Sequence, residues 1–342
     1  MPYWHADNFQ TASIQPALMY SGLFKSDGRY IMIFRTLFTF ILFIVFSAVG
    51  IAQDKPDAET FLWKATKQGQ PDTYLLGTLH IGKINSTLPP PYLEALKKSR
   101  QLIIESNPDD LLQPQYSDDA QRLQLLAYSQ QTLNETLGKK RMDAIAEMTR
   151  QNEPPFHING DSHIRPWMLW ITLQTLYSPK GYSFHYGIDN LLIQQAKERN
   201  KTILSLERME PIYYLSNIPD DVLMRSLDMM ITHQNHADKE QEMLVSLYEQ
   251  QQATKIWMKI NDDQELLKFL PPQDYAVWKY FLHEQLLNER NQQWLKKLDD
   301  LLPAAPSLVA VGSGHLFGEQ GLIQQLRLRG YQVEPILISA TQ

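Results

Sequence analysis

The sequence predicts an α/β protein: a central mixed β-sheet built from two strand–GxxH–helix–strand halves, with a helical cap inserted between them. Three observations carry this. Apolar runs near the two ends, "TYLLG" and "SLVAVG", each close on a glycine with a histidine three residues on: Gly77 and His80, then Gly312 and His315. Each GxxH is followed by helical periodicity and a further strand-like run. Helical sequence fills the intervals between separated strands, which is the pattern of an α/β core.

The elements follow in order. Phe61 to Lys67 reads as a strand, "QGQPD" as a turn, and Thr73 to Gly77 as the hairpin partner. "PPPYLEALKKSRQ" opens on prolines and has Tyr92, Leu93 and Leu96 at helical spacing, so it is a short helix. "QLIIES" is a buried strand ending at Glu105 or Ser106. Gln- and Leu-rich sequence from Pro108 to Arg150 is helical. "GIDNLLIQQAKERNKTILSLE" is a helix and then a strand. Long amphipathic helices run from Pro219 to Leu302, broken at "PPQDY". "SLVAVGSGHLFGEQGLIQQLRLRGYQVEPILI" closes the chain as strand, loop, helix and strand. The two ends thus read as one unit used twice, with Glu105 following His80 and Glu334 following His315.

The N-terminal segment stands apart. Arg35 precedes "TLFTFILFIVFSAVGIA", which carries no charge and exits on Gly50 and Ala52. That is the layout of a secretory signal peptide over 32–52, with Gln53 as the first mature residue. Met32 is the natural start, and residues 1–31 read as an upstream extension. The alternative is a membrane anchor formed by residues 36–52, but the run falls short of the roughly 20 residues of a spanning helix. The mature chain, 53–342, is then one exported domain, periplasmic or secreted, with helical insertions at 108–150 and 219–302. Membrane contact would come only through the N-terminal segment if it is not cleaved.

Composition excludes several functions. Of 342 residues, 32 are basic and 38 acidic, for a net charge of −6, and no basic stripe interleaved with aromatics occurs. Nucleic acid is not an expected partner. The absence of cysteine removes disulfides, thiolate metal sites and a cysteine nucleophile. No GxSxG, HExxH or Walker loop occurs.

What remains is the pair of GxxH units. A glycine at a strand end lets the chain turn or approach another group closely. A histidine just beyond it lies where open α/β sheets bind ligands, and it can move a proton or hold a metal. Glu105 would open onto the same edge. Two histidines and a carboxylate suit a divalent metal such as Mn²⁺, Co²⁺ or Zn²⁺, which would activate water. Other candidates have plainer readings. His233, His236 and Glu240 share a helical face with metal-compatible spacing, but a solvated polar helix explains them. His157, Asp161 and His163 sit in a polar loop. Asp189 stands in a helix first turn, where capping is the default. Glu207 and Glu210 follow a strand and face either the site or solvent. Glu289, Arg290 and Asn291 read as a charged helix face.

"YLLGTLHIG", "LIIES", "YGIDNLLIQQAKERNKTILSLE" and "LVAVGSGHLFGEQGLIQQLRLRGYQVEPI" together resemble the TraB/GumN family from about Phe61 to Ile338. The animal Tiki proteins are similar and act as metal-dependent proteases on Wnt ligands. The resemblance implies an α/β core related to the erythromycin-esterase-like and ChaN-like folds, and a metal-assisted hydrolytic site. Carried over by residue, that site falls on His80, Glu105 and His315. Asp189 matches the family's G-x-D position, and Arg290 with Asn291 a late Arg-Asn pair. After Glu207 the family pattern leads to Thr-x-x-Glu-Gln, and here the chain reads "RMEPI". The expected function is an exported metal-dependent hydrolase acting on a peptide or protein. The alternatives are a protein that captures a peptide or haem-like ligand without turnover, and an accessory of envelope or polysaccharide processes.

Overall fold

The structure, a computed structural model, describes residues 55–338 apart from 108, 111, 112, 153 and 154. The signal-peptide reading falls outside these residues. Eight strands are present among them: β1 (Leu62–Thr66), β2 (Thr73–Thr78), β3 (Gly82–Lys83), β4 (Gln101–Ile104), β5 (Tyr182–Ser183), β6 (Thr202–Ser205), β7 (Ser307–Gly312) and β8 (Gln332–Pro335). Six form one mixed sheet in the order β6-β4-β7-β2-β1-β8. β6, β4, β7 and β2 run parallel, while β1 is antiparallel to both β2 and β8. Every residue of β2, β4 and β7 is buried, so these strands are unbroken apolar or small-residue runs, as strands covered on both faces must be.

The register places the chemistry. Thr78 pairs with Gly312, Ile104 with both Ala310 and Ser205. Four parallel strands therefore end together, and the residues just past them share one edge. β2 leads to His80, β7 to His315, β4 to Glu105 and β6 to Glu207. The remaining short strands, β3 and β5, pair with each other and pin the His80 loop to the segment at residues 182–183.

Helices cover this frame: α1 (Pro90–Lys98), α2 (Ser117–Ala127), α3 (Leu133–Arg150), α4 (Pro166–Leu176), α5 (Ile188–Glu198), α6 (Glu210–Ser216), α7 (Asp220–Thr232), α8 (Gln234–Glu249), α9 (Ala253–Ile260), α10 (Asp263–Leu266), α11 (Tyr275–Lys279), α12 (Arg290–Leu301) and α13 (Leu322–Leu328). Residues 280–289 form a π-helical stretch between α11 and α12. The sheet and its flanking helices share one apolar core. A second core joins α2, α3, α4, α6 and α7 to residues 278–287. Ile260 packs against both.

The cap is thus real, but its membership differs from the sequence expectation. α4, outside both expected insertions, buries Trp167, Leu169, Trp170 and Leu173 at its centre, because its apolar residues run around the whole helix. Conversely α9, α12 and the second half of α8, all inside 219–302, pack on the sheet through Ile256, Trp294 and Tyr248. Glu334 also departs from the repeat: it lies exposed on the edge strand β8, paired with Lys64, away from the edge that carries His80, Glu105, Glu207 and His315.

Amide exchange should follow this division. Leu75, Leu76, Val309 and Ala310 have no exposure, whereas residues 234–243 carry few apolar anchors. Hydrogen-exchange mass spectrometry should find β2, β4 and β7 exchanging far more slowly than residues 231–242. Equal or reversed rates would show that the stable core has been misplaced.

Candidate functional site

Two glycines bring the strand ends together. A β-carbon on Gly77 would stand 2.9 Å from Leu316 Cδ1 and 3.1 Å from Ser313 Cα, so the loop after β7 packs directly on β2. One on Gly187 would stand 2.1 Å from the His80 carbonyl oxygen. Here glycine permits close approach, not a turn. With no side chain at Gly187, the Ile188 amide donates to the Leu79 carbonyl at 2.9 Å, and α5 starts against the His80 loop.

That contact delivers Asp189. Its side chain makes no helix cap. It accepts from Thr78 Oγ1 at 2.6 Å and faces His80 Nδ1 at 2.6 Å. Both groups are buried, with His80 3% and Asp189 4% exposed. The carboxylate fixes the hydrogen on Nδ1 and directs Nε2 the other way. Burial alone would lower the His80 pKa, but the charge and hydrogen bond of Asp189, with Glu105 beyond, hold it above its ordinary value.

His315 is held by a different partner. Asn291 donates through its amide nitrogen to the carbonyls of His315 and Gln320, at 3.3 and 2.9 Å. Its oxygen is therefore the atom facing His315 Nδ1 at 2.7 Å, so Nδ1 carries the hydrogen. The lone pair on Nε2 then accepts from Arg290 Nη1 at 3.2 Å. Burial, then the Arg290 charge, push this histidine well below its ordinary pKa. With Nδ1 donating to Asn291 and Nε2 accepting from Arg290, this ring is held as the neutral tautomer.

Arg290 lies at the centre. Its Nη2 donates to Glu105 Oε2 at 2.5 Å and Glu207 Oε1 at 2.6 Å, its Nε to Glu207 Oε2 at 2.7 Å, and its Nη1 to the Leu286 carbonyl at 3.1 Å. The guanidinium is 1% exposed and lies 4.6 Å from the Trp294 ring. Trp294 also donates to Glu207 Oε2 at 3.1 Å and packs at 4.3 Å from the His315 ring. The two carboxylates diverge in charge. Burial raises Glu105, but Arg290 above all, and the Gly312 amide at 2.7 Å, bring it below its ordinary value. Burial lifts Glu207 to about 7, against the pull of Arg290 and with the help of the Glu105 charge. Arg290 forks onto both oxygens of Glu207 and reaches one of Glu105, so the two carboxyls share its charge and titrate as a pair.

All six residues anticipated from the sequence, His80, Glu105, Asp189, Arg290, Asn291 and His315, are gathered here. Glu207 belongs with them; its signal was its place past β6, matching Glu105 past β4. Trp294 and Thr78 gave no signal of their own. His157, Asp161 and His163 do not contribute: His157 and Asp161 are exposed, and His163 stacks on Tyr128 at 6.0 Å. Glu210 accepts from the Arg208 amide and Glu289 from Tyr280. Of the atoms expected in a metal shell from His80, Glu105 and His315, the Nε2 lone pair of His315 and one Glu105 oxygen here meet Arg290.

A parallel-stranded sheet whose C-terminal edge carries two GxxH histidines, each oriented by its own partner around a buried Arg–Glu network, defines a class of α/β proteins. Within that class the chain belongs to the TraB/PrgY/gumN family, whose model matches residues 61–335. It is 27% identical over 286 residues to proteins named "Uncharacterized protein YbaP" in Shigella flexneri and in Escherichia coli (strain K12), covering 78% of this chain and 93% of each relative.

Two measurements test the network. Arg290→Leu should destabilise the protein by about 3–5 kcal/mol, because it leaves two buried carboxylates without their cation; a loss below about 1 kcal/mol in urea melts would contradict the buried network. Glu207 has a folded-state pKa of about 7 against 4.5 unfolded. As pH rises between these values the unfolded chain gives up a proton that the folded chain keeps, so Glu207 withdraws stability. Relative to wild type, Glu207→Gln should gain stability over that window, by at most about 1.4 kcal/mol per pH unit. A pH-independent difference would place Glu207 outside the titrating network.

Proposed function

We propose that the chain is an exported hydrolase acting on peptide or protein substrates by acid–base chemistry at the GxxH edge. One observation carries this reading: two buried histidines on adjacent strand ends, with pKa values driven in opposite directions by their surroundings. Such divergence gives the two rings different work: His80 exchanges a proton, while His315 stays neutral as an acceptor from Arg290. His80, oriented by Asp189, takes a proton from the attacking water and returns it to the leaving group. Arg290 is a fixed positive charge within the site, pre-organised to meet developing negative charge. His315 and Asn291 hold that charge in place. The N-terminal sequence pattern supports export, and the resemblance to the Tiki proteins supports peptide bonds as substrate. With His80 and His315 both buried, and Ile260 and Leu287 lying against Gly314, the site opens before a substrate reaches it.

A metal-assisted version is favoured by one feature. Both histidines have Nδ1 held by an oriented partner, the arrangement that outer groups impose on metal-ligating histidines. His80, Glu105 and His315 would hold the ion once Arg290 withdrew, and it would supply activated water.

Cleavage of a peptide library by purified protein, before and after exhaustive chelation, decides among these. Activity that survives chelation, falls at least about a hundredfold in His80→Ala, the lower range for a general acid–base group, and falls in Asp189→Asn is the expected result. Loss on chelation with recovery in Mn²⁺, Co²⁺ or Zn²⁺ would make the site metal-dependent. Saturable binding without product would make the chain a capture protein.

A further inference from the structure

The cap holds a feature that the GxxH site does not use. A cavity of about 260 Å³ lies among α4, α7, α8 and the loop at 268–270, floored by apolar side chains including Met229, Leu244 and Trp278. At its wall three ligand groups converge. His236 and Glu240 stand one turn apart on α8, and Glu265 comes from α10; one ligand atom of each lies within 4.8 Å of the others. His236 Nε2 is 3.1 Å from Glu265 Oε1. The spacing noted in the sequence is therefore completed by a third group from a separate helix. His233 is not part of the set; it precedes α8 and stacks on Phe269 at 3.8 Å.

Two further atoms make the cavity wall polar in need. Gln241 Oε1 and Trp278 Nε1 belong to residues that line it, are buried, and have no hydrogen-bond partner. Trp278 as a whole is 1% exposed. Buried polar atoms are nearly always satisfied, by protein or by what a cavity holds.

We propose that His236, Glu240 and Glu265 bind a first-row divalent cation, with Zn²⁺ or Co²⁺ matching a set of one imidazole and two carboxylates. The remaining positions face the cavity and take water. Two lysines currently neutralise the carboxylates: Lys259 Nζ is 2.7 Å from Glu240 and Lys268 Nζ 3.0 Å from Glu265. The ion displaces them, and its binding ties α8 to α10. α8 continues from this point to Tyr248, about 18 Å along the helix axis, where the Tyr248 hydroxyl donates to the Gly77 carbonyl at 2.6 Å. The cation site is thus distinct from the GxxH edge and connected to it through one helix.

The test is equilibrium dialysis of the full-length chain against Zn²⁺, with visible absorption of the Co²⁺ form reporting on its ligands. One ion per chain is expected. His236→Ala and Glu265→Gln should each weaken binding at least roughly tenfold, the lower range even for groups that only support metal ligands. Lys259→Met, which removes a competing cation, should strengthen it. His315→Ala should leave it unchanged, which separates this site from any metal at the GxxH edge. No stoichiometric binding, or binding lost in His315→Ala and kept in His236→Ala, would overturn the proposal.

Discussion

The buried guanidinium of Arg290 is the constraint around which this molecule is arranged. Parallel pairing of β4 with β6 forces Glu105 and Glu207 to emerge side by side, both buried from solvent. Two carboxylates there repel, and each loses its hydration. Only a cation reaching both makes the arrangement stable, and Arg290 does so with three donated hydrogen bonds of 2.5–2.7 Å. Burial raises the Glu207 pKa against the pull of Arg290, so of the two carboxylates its charge is the more weakly held. An arginine suits this better than a lysine, because its planar fork meets two carboxylates and still donates to an imidazole and a carbonyl.

The helix that supplies Arg290 is built for this purpose. Arg290, Trp294 and Leu298 lie four residues apart and are all buried, so α12 presents one stripe to the sheet. Leu298 seats it in the apolar core, Trp294 bridges His315 and Glu207, and Arg290 reaches the strand ends. Immediately before it, residues 280–289 are π-helical. A wider turn is a recurrent feature beside functional groups, and here it delivers the Leu286 carbonyl to Arg290 Nη1 while its other face stays in the cap core. Cap and sheet therefore meet at the residue that carries the central charge.

Much of the frame was legible in the sequence, for a physical reason. Strands buried on both faces must be apolar and short, and β2, β4 and β7 announce themselves as "TYLLG", "QLII" and "SLVAVG". The glycine before His80 was legible too, since a side chain at Gly77 would meet Leu316 and Ser313. The cap was not, because amphipathic helices do not state which apolar surface they cover; α4 and α12 show it in opposite directions. On its position alone Asp189 read as a cap and Arg290 as part of a charged helix face; it was the family resemblance that gave both a place in the site, although the spacing of Arg290 to Trp294 and Leu298 also puts it on an apolar stripe. Glu207 was open to two readings because the sequence alone does not pair β6 with β4.

The repeated unit explains the likeness of the two histidines, and its breakdown explains their difference. Both stand just past a parallel strand, His80 two residues beyond Thr78 and His315 three residues beyond its register partner Gly312. Had the repeat been strict, each would meet an equivalent carboxylate. Instead the first half supplies Glu105 at the edge, whereas its counterpart Glu334 lies on an exposed outer strand. The insertion between the halves then provides unlike partners: α5 brings the anionic Asp189 to His80, and α12 brings neutral Asn291 and cationic Arg290 to His315. An anion beside one ring and a cation beside the other drive the two pKa values apart. A like placement past two adjacent parallel strands, with unlike charge beside each ring, is what turns a repeated motif into two different chemical groups.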